Sequence, residues 1–96
     1  MPTYERNARF RREYRALTPE QQRAVLQMLR LFLAGLAAGR FSSRLRVKRV
    51  ESHPGVWEVT WAPDGRATFE YGPEVRPGEP HIIWRRVGAH DIFREP

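Results

Sequence analysis

The chain has 96 residues, 41% of them hydrophobic, which suffices for one small domain and leaves no room for a second core. It has no cysteine, so disulfides, thiolate metal sites and cysteine nucleophiles are excluded. The formal net charge is +6, and every basic residue except Lys48 is arginine, whose guanidinium binds phosphate and stacks on bases. This composition favours contact with nucleic acid, and an acidic protein partner is the alternative.

Neither a leader sequence nor a membrane span is expected. Residues 1–6 have no apolar core and do not read as a signal peptide. The longest apolar-rich stretch, residues 28–38, contains Arg30 and is too short to cross a bilayer. We therefore expect a cytoplasmic protein without membrane contact, folded as a single domain over residues 1–96. The absence of cysteine fits a reducing compartment.

The first part of the chain predicts a short strand and a helix. Residues 3–6 have the character of an edge strand, and Asn7 is a typical N-cap residue. Phe10, Tyr14 and Leu17 then recur at helical spacing, with arginines between them. This pattern predicts a first helix with one buried face.

A second helix begins at Thr18-Pro19-Glu20-Gln21. Thr18 is suited to the N-cap, proline to the first helical position, and Gln21 to closing a capping box. Gly39 is expected to end the helix. The predicted buried stripe consists of Val25, Leu29, Phe32, Leu33 and Leu36.

From residue 45 onward the apolar period changes to two, which indicates strands. Strands are predicted at residues 45–50, 56–62, 66–71 and 81–87, with Pro63-Asp64-Gly65 as a hairpin turn. The predicted order is β-α-α-β-β-β-β. This is an α+β fold in which a helical pair packs on one face of an antiparallel sheet, and polar side chains occupy the open face.

The residues that could perform chemistry lie at the strand ends near the C-terminus. Metal or cofactor binding is not expected, because the three histidines are far apart and lie among arginines. RNA cleavage by attack of a 2′-hydroxyl needs cations that hold the phosphate and a group that protonates the leaving oxygen. His90 is the candidate proton donor, and Arg66 with one of Arg85 and Arg86 are candidate phosphate ligands. The alternatives are a turn histidine at a strand end and a surface Arg66 paired with Glu58 or Glu70.

The chain resembles the RelE/ParE-type toxins of bacterial toxin–antitoxin pairs over nearly its whole length. The motifs that carry the resemblance are Phe10-x-x-x-Tyr14-x-x-Leu17, Leu45-Arg46-Val47-Lys48, Pro54-Gly55-Val56-Trp57-Glu58, Arg66-Ala67-Thr68-Phe69 and Trp84-Arg85-Arg86-Val87-Gly88-Ala89-His90. The resemblance implies a compact fold like that of microbial ribonucleases. In many members it also implies cleavage of mRNA on the ribosome and inhibition by a cognate antitoxin, in a hetero-oligomer.

The resemblance also implies roles for individual residues. Arg66 matches a phosphate-binding arginine, and His90 matches a position that supplies a catalytic side chain. Some members carry a carboxylate base before the Leu45 strand, which this chain lacks, so Glu58 is the candidate base here. The residues matched to RNA-binding positions are Arg44, Arg46, Lys48, Arg49 and Phe93.

Three functions remain open from the sequence. The first is a ribosome-dependent mRNA endonuclease that uses His90, Arg66 and one of Arg85 and Arg86. The second is a toxin of the same fold that inhibits a protein such as DNA gyrase and does not need His90. The third is an inert RNA-binding domain, for which exposed aromatic rings would be expected to stack on bases.

Overall fold

The structure is a computed structural model that describes residues 2–96, so Met1 lies outside the described part of the chain. Within these residues the elements follow the predicted order β-α-α-β-β-β-β. The strands are β1 (Thr3–Arg6), β2 (Lys48–Arg49), β3 (Trp57–Thr60), β4 (Gly65–Gly72) and β5 (His81–Ala89). The helices are α1 (Ala8–Ala16) and α2 (Pro19–Ala38), and short 3₁₀ helices span Ser43–Leu45 and His90–Arg94.

The five strands form one sheet in the order β1-β5-β4-β3-β2. The pairs β2–β3, β3–β4 and β4–β5 are antiparallel, as predicted. β1 differs because it runs parallel to β5, with Thr3 opposite His81. Most of the chain separates these two strands, so no hairpin fixes their relative direction. The α+β fold is confirmed, with a mixed sheet.

The core lies between the helices and one face of the sheet. Phe10 of α1 and Phe32 of α2 are fully buried against Phe69 and Trp84. The ring centroid of Phe32 lies 4.9 Å from those of both Phe69 and Trp84, in edge-to-face geometry that aromatic pairs favour. This cluster sets the distance between the helices and β4 and β5.

The predicted helix ends are confirmed. Asn7 Oδ1 accepts a hydrogen bond from the Phe10 amide at 2.8 Å, and Thr18 and Gln21 form a reciprocal capping box. Gly39 ends α2 at φ +76°, a conformation that glycine adopts without steric cost. Among residues 2–96, no helix combines the length and apolar character that a bilayer crossing requires.

The strand predicted at residues 45–50 is wrong over most of its length. Residues Ser43–Leu45 form a 3₁₀ helix, because the Ser42 hydroxyl accepts a hydrogen bond from the Arg44 amide and favours a turn. Arg46 then adopts φ +49°, and only Lys48–Arg49 pair with β3. Arg46 and Lys48 therefore do not share the face of one strand.

The sheet face opposite the helices is not open along β4 and β5, contrary to the prediction. The last 3₁₀ helix contacts both strands. Ile92 is buried against Gly88, where an added Cβ would lie 2.9 Å from Ile92 Cγ2. Thr68 on this face is fully buried and Arg66 is 9% exposed. Residues 91–96, called the C-terminal segment below, therefore pack on part of the polar face.

Candidate active site

His90 lies at the end of β5, beside the hairpin between β3 and β4, because Ala89 pairs with Gly65. Its side chain is 61% exposed. The ring contacts Phe93 edge to face, with 5.3 Å between centroids, and Nδ1 lies 4.0 Å from Asp64 Oδ1. That distance is too long for a hydrogen bond. Within residues 2–96 the imidazole therefore makes no hydrogen bond and is available to a ligand.

A groove of about 510 Å³ lies next to His90. It runs between the end of α1, the start of α2, the β3–β4 hairpin and the end of β5. Trp61 and Leu17 form part of its apolar wall. Its ionisable lining residues are Glu13, Asp64, Arg86 and Asp91. Because three of these four groups are acids, the groove itself does not attract phosphate.

Arg66 is directed back onto the hairpin turn and not outward as predicted. Its Nη1 donates to the carbonyls of Ala62, Pro63 and Gly65 at 2.9 to 3.2 Å. It pairs with neither Glu58 nor Glu70, so the alternative considered from sequence is also wrong. In this conformation Arg66 satisfies turn carbonyls, and its nearly buried guanidinium is not presented to a phosphate.

Arg85 and Arg86 lie on the same polar face because of a β-bulge. Thr68 pairs with Arg86 and Phe69 with Trp84, so Arg85 is the extra residue of β5. Arg85 Nη1 donates to Glu70 at 2.9 Å. The sequence proposed only one of these two arginines as a phosphate ligand, whereas the bulge places both of them on this face.

Arg86 joins three parts of the chain. Its Nε donates to Glu13 of α1 at 3.2 Å, and its Nη2 bonds the second oxygen of the same carboxylate. This bidentate pair raises the pKa of Arg86, an effect that its partial burial opposes. The remaining terminal nitrogen, Nη1, donates to the carbonyls of Ile92 and Glu95. Arg86 thus links α1 and β5 to the C-terminal segment.

Glu58, Thr68 and Arg86 are in register across β3, β4 and β5. Glu58 is 12% exposed and its Oε1 lies 3.8 Å from Lys48 Nζ. Two strand spacings and four residues along β5 separate it from His90, which places the two Cα atoms about 16 Å apart. Glu58 is therefore not adjacent to His90, and it lies instead beside Lys48. The carboxylate nearest to His90 is Asp64, which the sequence did not single out.

The basic residues predicted to bind RNA form an exposed segment at the β2 edge of the sheet. Arg44 and Arg46 precede the strand, and Lys48 and Arg49 form it. The Arg49 guanidinium lies 5.2 Å from the centre of the half-buried Trp57 ring, a cation–π contact. Phe93 is half-buried beside His90, three strands away. The structure thus divides the predicted site between β2 and the end of β5.

Two further observations limit the chemistry of the site. Among residues 2–96, no group of three or more His, Cys, Asp or Glu is arranged to hold a metal ion. His81 is not part of the site, because its Nδ1 and Nε2 are bonded to Thr3 and Glu5 at the β1–β5 pair. The candidate site therefore consists of the exposed imidazole of His90 near the Asp64 carboxylate, with Arg85 and Arg86 on the adjoining sheet face.

No protein-family model and no curated protein sequence matches the chain. The fold does match solved structures of an Escherichia coli toxin–antitoxin complex, DinJ–YafQ. In one, the TM-score is 0.61 at 12% identity, covering 94% of this chain and 93% of the matched chain. In a second, the TM-score is 0.60 at 11% identity, covering 95% and 96%. The comparison establishes that this chain has the small α+β fold of a chain in that toxin–antitoxin complex.

Proposed function

We propose that this protein is the toxin of a type II toxin–antitoxin pair and that it cleaves RNA with His90 as the general acid. The exposed imidazole of His90, free of hydrogen bonds within residues 2–96, is the observation that carries the proposal. The RelE-like fold over 94% of the chain and the occurrence of its structural neighbours in toxin–antitoxin complexes support it. The exposed cations of residues 44–49 supply contacts to the RNA backbone.

The proposed step is a transfer within one strand of RNA. The 2′-oxygen bonds to the neighbouring phosphorus, the bond from phosphorus to the 5′-oxygen breaks, and protonated His90 gives its proton to that oxygen. The products carry a 2′,3′-cyclic phosphate and a 5′-hydroxyl. Asp64, 4.0 Å from His90, replaces Glu58 as the candidate acceptor of the 2′-hydroxyl proton. The proposed partners are mRNA on the ribosome and a cognate antitoxin, which forms a hetero-oligomer with this chain.

A second candidate function is inhibition of a protein target such as DNA gyrase without RNA cleavage. This function is favoured because the arginines predicted to bind phosphate are already hydrogen-bonded within the chain. Arg66, Arg85 and Arg86 all bond to groups of this chain, and the groove beside His90 is mostly acidic. A toxin of this kind would not depend on His90.

Induced expression in a bacterial host, followed by primer extension on abundant transcripts, separates the two functions. We expect growth arrest with cuts inside translated frames for the wild type and for His53→Ala, a turn histidine bonded to Ser52. His90→Ala should abolish both effects while the protein stays folded. Arrest with intact transcripts would instead support a protein target. Full toxicity of folded His90→Ala would refute the catalytic role.

A further inference from the structure

The polar sheet face contains hydrogen-bond donors that are occupied by main-chain oxygens of the C-terminal segment. Arg86 Nη1 donates to Glu95 O at 3.2 Å, and Arg85 Nε donates to Pro96 O at 3.0 Å. The two acceptors belong to successive residues, so the two donors converge on one small region. Each guanidinium is also fixed by a carboxylate, Glu13 for Arg86 and Glu70 for Arg85.

A third donor on the same face has no acceptor. Thr68 lies directly opposite Arg86 in the β4–β5 register and is fully buried. Its Oγ1 has no hydrogen-bond partner in the part of the chain that the structure describes. A buried hydroxyl without a partner is uncommon in folded proteins. The unpaired Thr68 hydroxyl is explained if the polar sheet face binds an oxygen-rich ligand when the C-terminal segment is displaced.

Besides its hydrogen bonds to Arg85 and Arg86, the C-terminal segment is held by apolar packing and a surface ion pair. Ile92 on Gly88 is its main apolar anchor, together with the buried Pro96. The Arg9–Glu95 ion pair is exposed on both sides, and such pairs add little stability. The hydrogen bonds of Arg86 to Ile92 and Glu95 use main-chain carbonyl oxygens, which phosphate oxygens can replace with stronger, charge-assisted bonds.

We propose that Arg85 Nε, Arg86 Nη1 and Thr68 Oγ1 form an anion site that the C-terminal segment closes, and that a phosphate of bound RNA opens it. The identity of the ligand as RNA rests on the proposed function. Three donors from two adjacent strands suit the several oxygens of one phosphate. The carboxylates of Glu13 and Glu70 keep the guanidinium groups oriented while the segment moves. Ile92→Ala removes the apolar anchor and should favour the open state.

The test measures binding of a fluorescent 12-nucleotide RNA by anisotropy, with inorganic phosphate as competitor. Since apparent affinity scales with the fraction of open protein, Ile92→Ala should bind the RNA roughly three- to tenfold more tightly than the wild type. Val25→Ala, a truncation of a buried residue in α2, is the matched control and should show no gain. Ile92→Val serves as the milder variant and should show a smaller gain in the same direction.

Two second-site substitutions test whether Arg85 and Thr68 bind the RNA phosphate or only stabilise the fold. In the Ile92→Ala background, Arg85→Gln should abolish the gain in affinity and the competition by phosphate. Thr68→Val should also lower the affinity but raise the melting temperature, because it removes a buried hydroxyl that has no partner. A group with only a structural role would not lower affinity while raising stability.

Weaker or unchanged binding by the folded Ile92 variants would refute the closed anion site, as would a gain that survives Arg85→Gln. These outcomes are independent of the nuclease proposal, because binding is measured without cleavage. If Ile92→Ala gains affinity but the wild type cuts no transcript in cells, the anion site stands and the proposed chemistry fails. If transcripts are cut and Ile92→Ala gains nothing, only the anion site fails.

Discussion

The Glu13–Arg86 pair should be a major tie between α1, β5 and the C-terminal segment, and Glu13→Ala tests this. The side chains are 24% and 15% exposed, so the pair is shielded from water without being fully buried. Hydrogen bonds to charged groups contribute about 1.5–3 kcal/mol each, and partial exposure reduces the sum of the two. We therefore expect Glu13→Ala to lower the free energy of unfolding by about 2 kcal/mol. In a domain of this size this corresponds to roughly 8–16 °C in melting temperature.

The assay is thermal unfolding followed by circular dichroism, with Arg9→Ala as the control. Arg9 pairs with Glu95 on the surface, so its loss should change stability by no more than ~0.5 kcal/mol. Glu13→Gln keeps one acceptor and should fall between the two. A double-mutant cycle with Arg86→Ala isolates the interaction itself. If Glu13→Ala is no more destabilising than Arg9→Ala, the Glu13–Arg86 pair does not contribute significantly to the stability of the fold.

Two further predictions concern Arg66 and Tyr71. Arg66→Ala should cost about 1–3 kcal/mol in chemical denaturation, because its hydrogen bonds to three turn carbonyls are lost, although the Ala62 and Gly65 carbonyls keep the Gly65 and Trp61 amides as donors. The slope of RNA affinity against salt should not change, and a lower slope would show that Arg66 contacts phosphate after all. Partial burial raises the pKa of Tyr71 above that of a free tyrosine, so absorbance followed in alkali should show a late ionisation step that Tyr71→Phe removes. The contribution of neutral Tyr71 to the free energy of unfolding is fully present below the tyrosine pKa of the unfolded chain, near 10, and is lost as pH rises through the raised pKa of the folded chain. Tyr71→Phe should therefore lose less stability in alkali than the wild type. An equal loss of stability in the variant would contradict the assignment of the raised pKa to Tyr71.

The helices and their ends could be predicted because their signals are local. Thr18, Gln21 and Gly39 act on backbone groups within one turn of their own positions, and the structure shows each contact as expected. The order in which strands and helices follow one another along the chain could also be predicted, because it follows from local periodicity. The parallel pairing of β1 with β5 does not, because it depends on how the whole intervening chain folds.

The candidate site could be predicted only in part, because its geometry depends on distant segments. The sequence identified His90, and the structure does expose it. It could not show that a bulge places Arg85 and Arg86 on one face, or that Glu13 comes from α1 to pair with Arg86. Asp64 was read as a turn residue, and its proximity to His90 exists only once Gly65 pairs with Ala89.

If His90 donates a proton in RNA cleavage by 2′-hydroxyl attack, the cut RNA carries 2′,3′-cyclic phosphate ends whose formation depends on His90, and these ends are the most direct test. RNA from cells expressing the wild type, His53→Ala and His90→Ala should be sequenced after selective ligation of 2′,3′-cyclic phosphate ends. We expect such ends within translated frames for the wild type and His53→Ala, with loss of most of them in folded His90→Ala. Equal numbers of these ends in His90→Ala, or cuts that carry 3′-hydroxyl ends in the wild type, would contradict this mechanism.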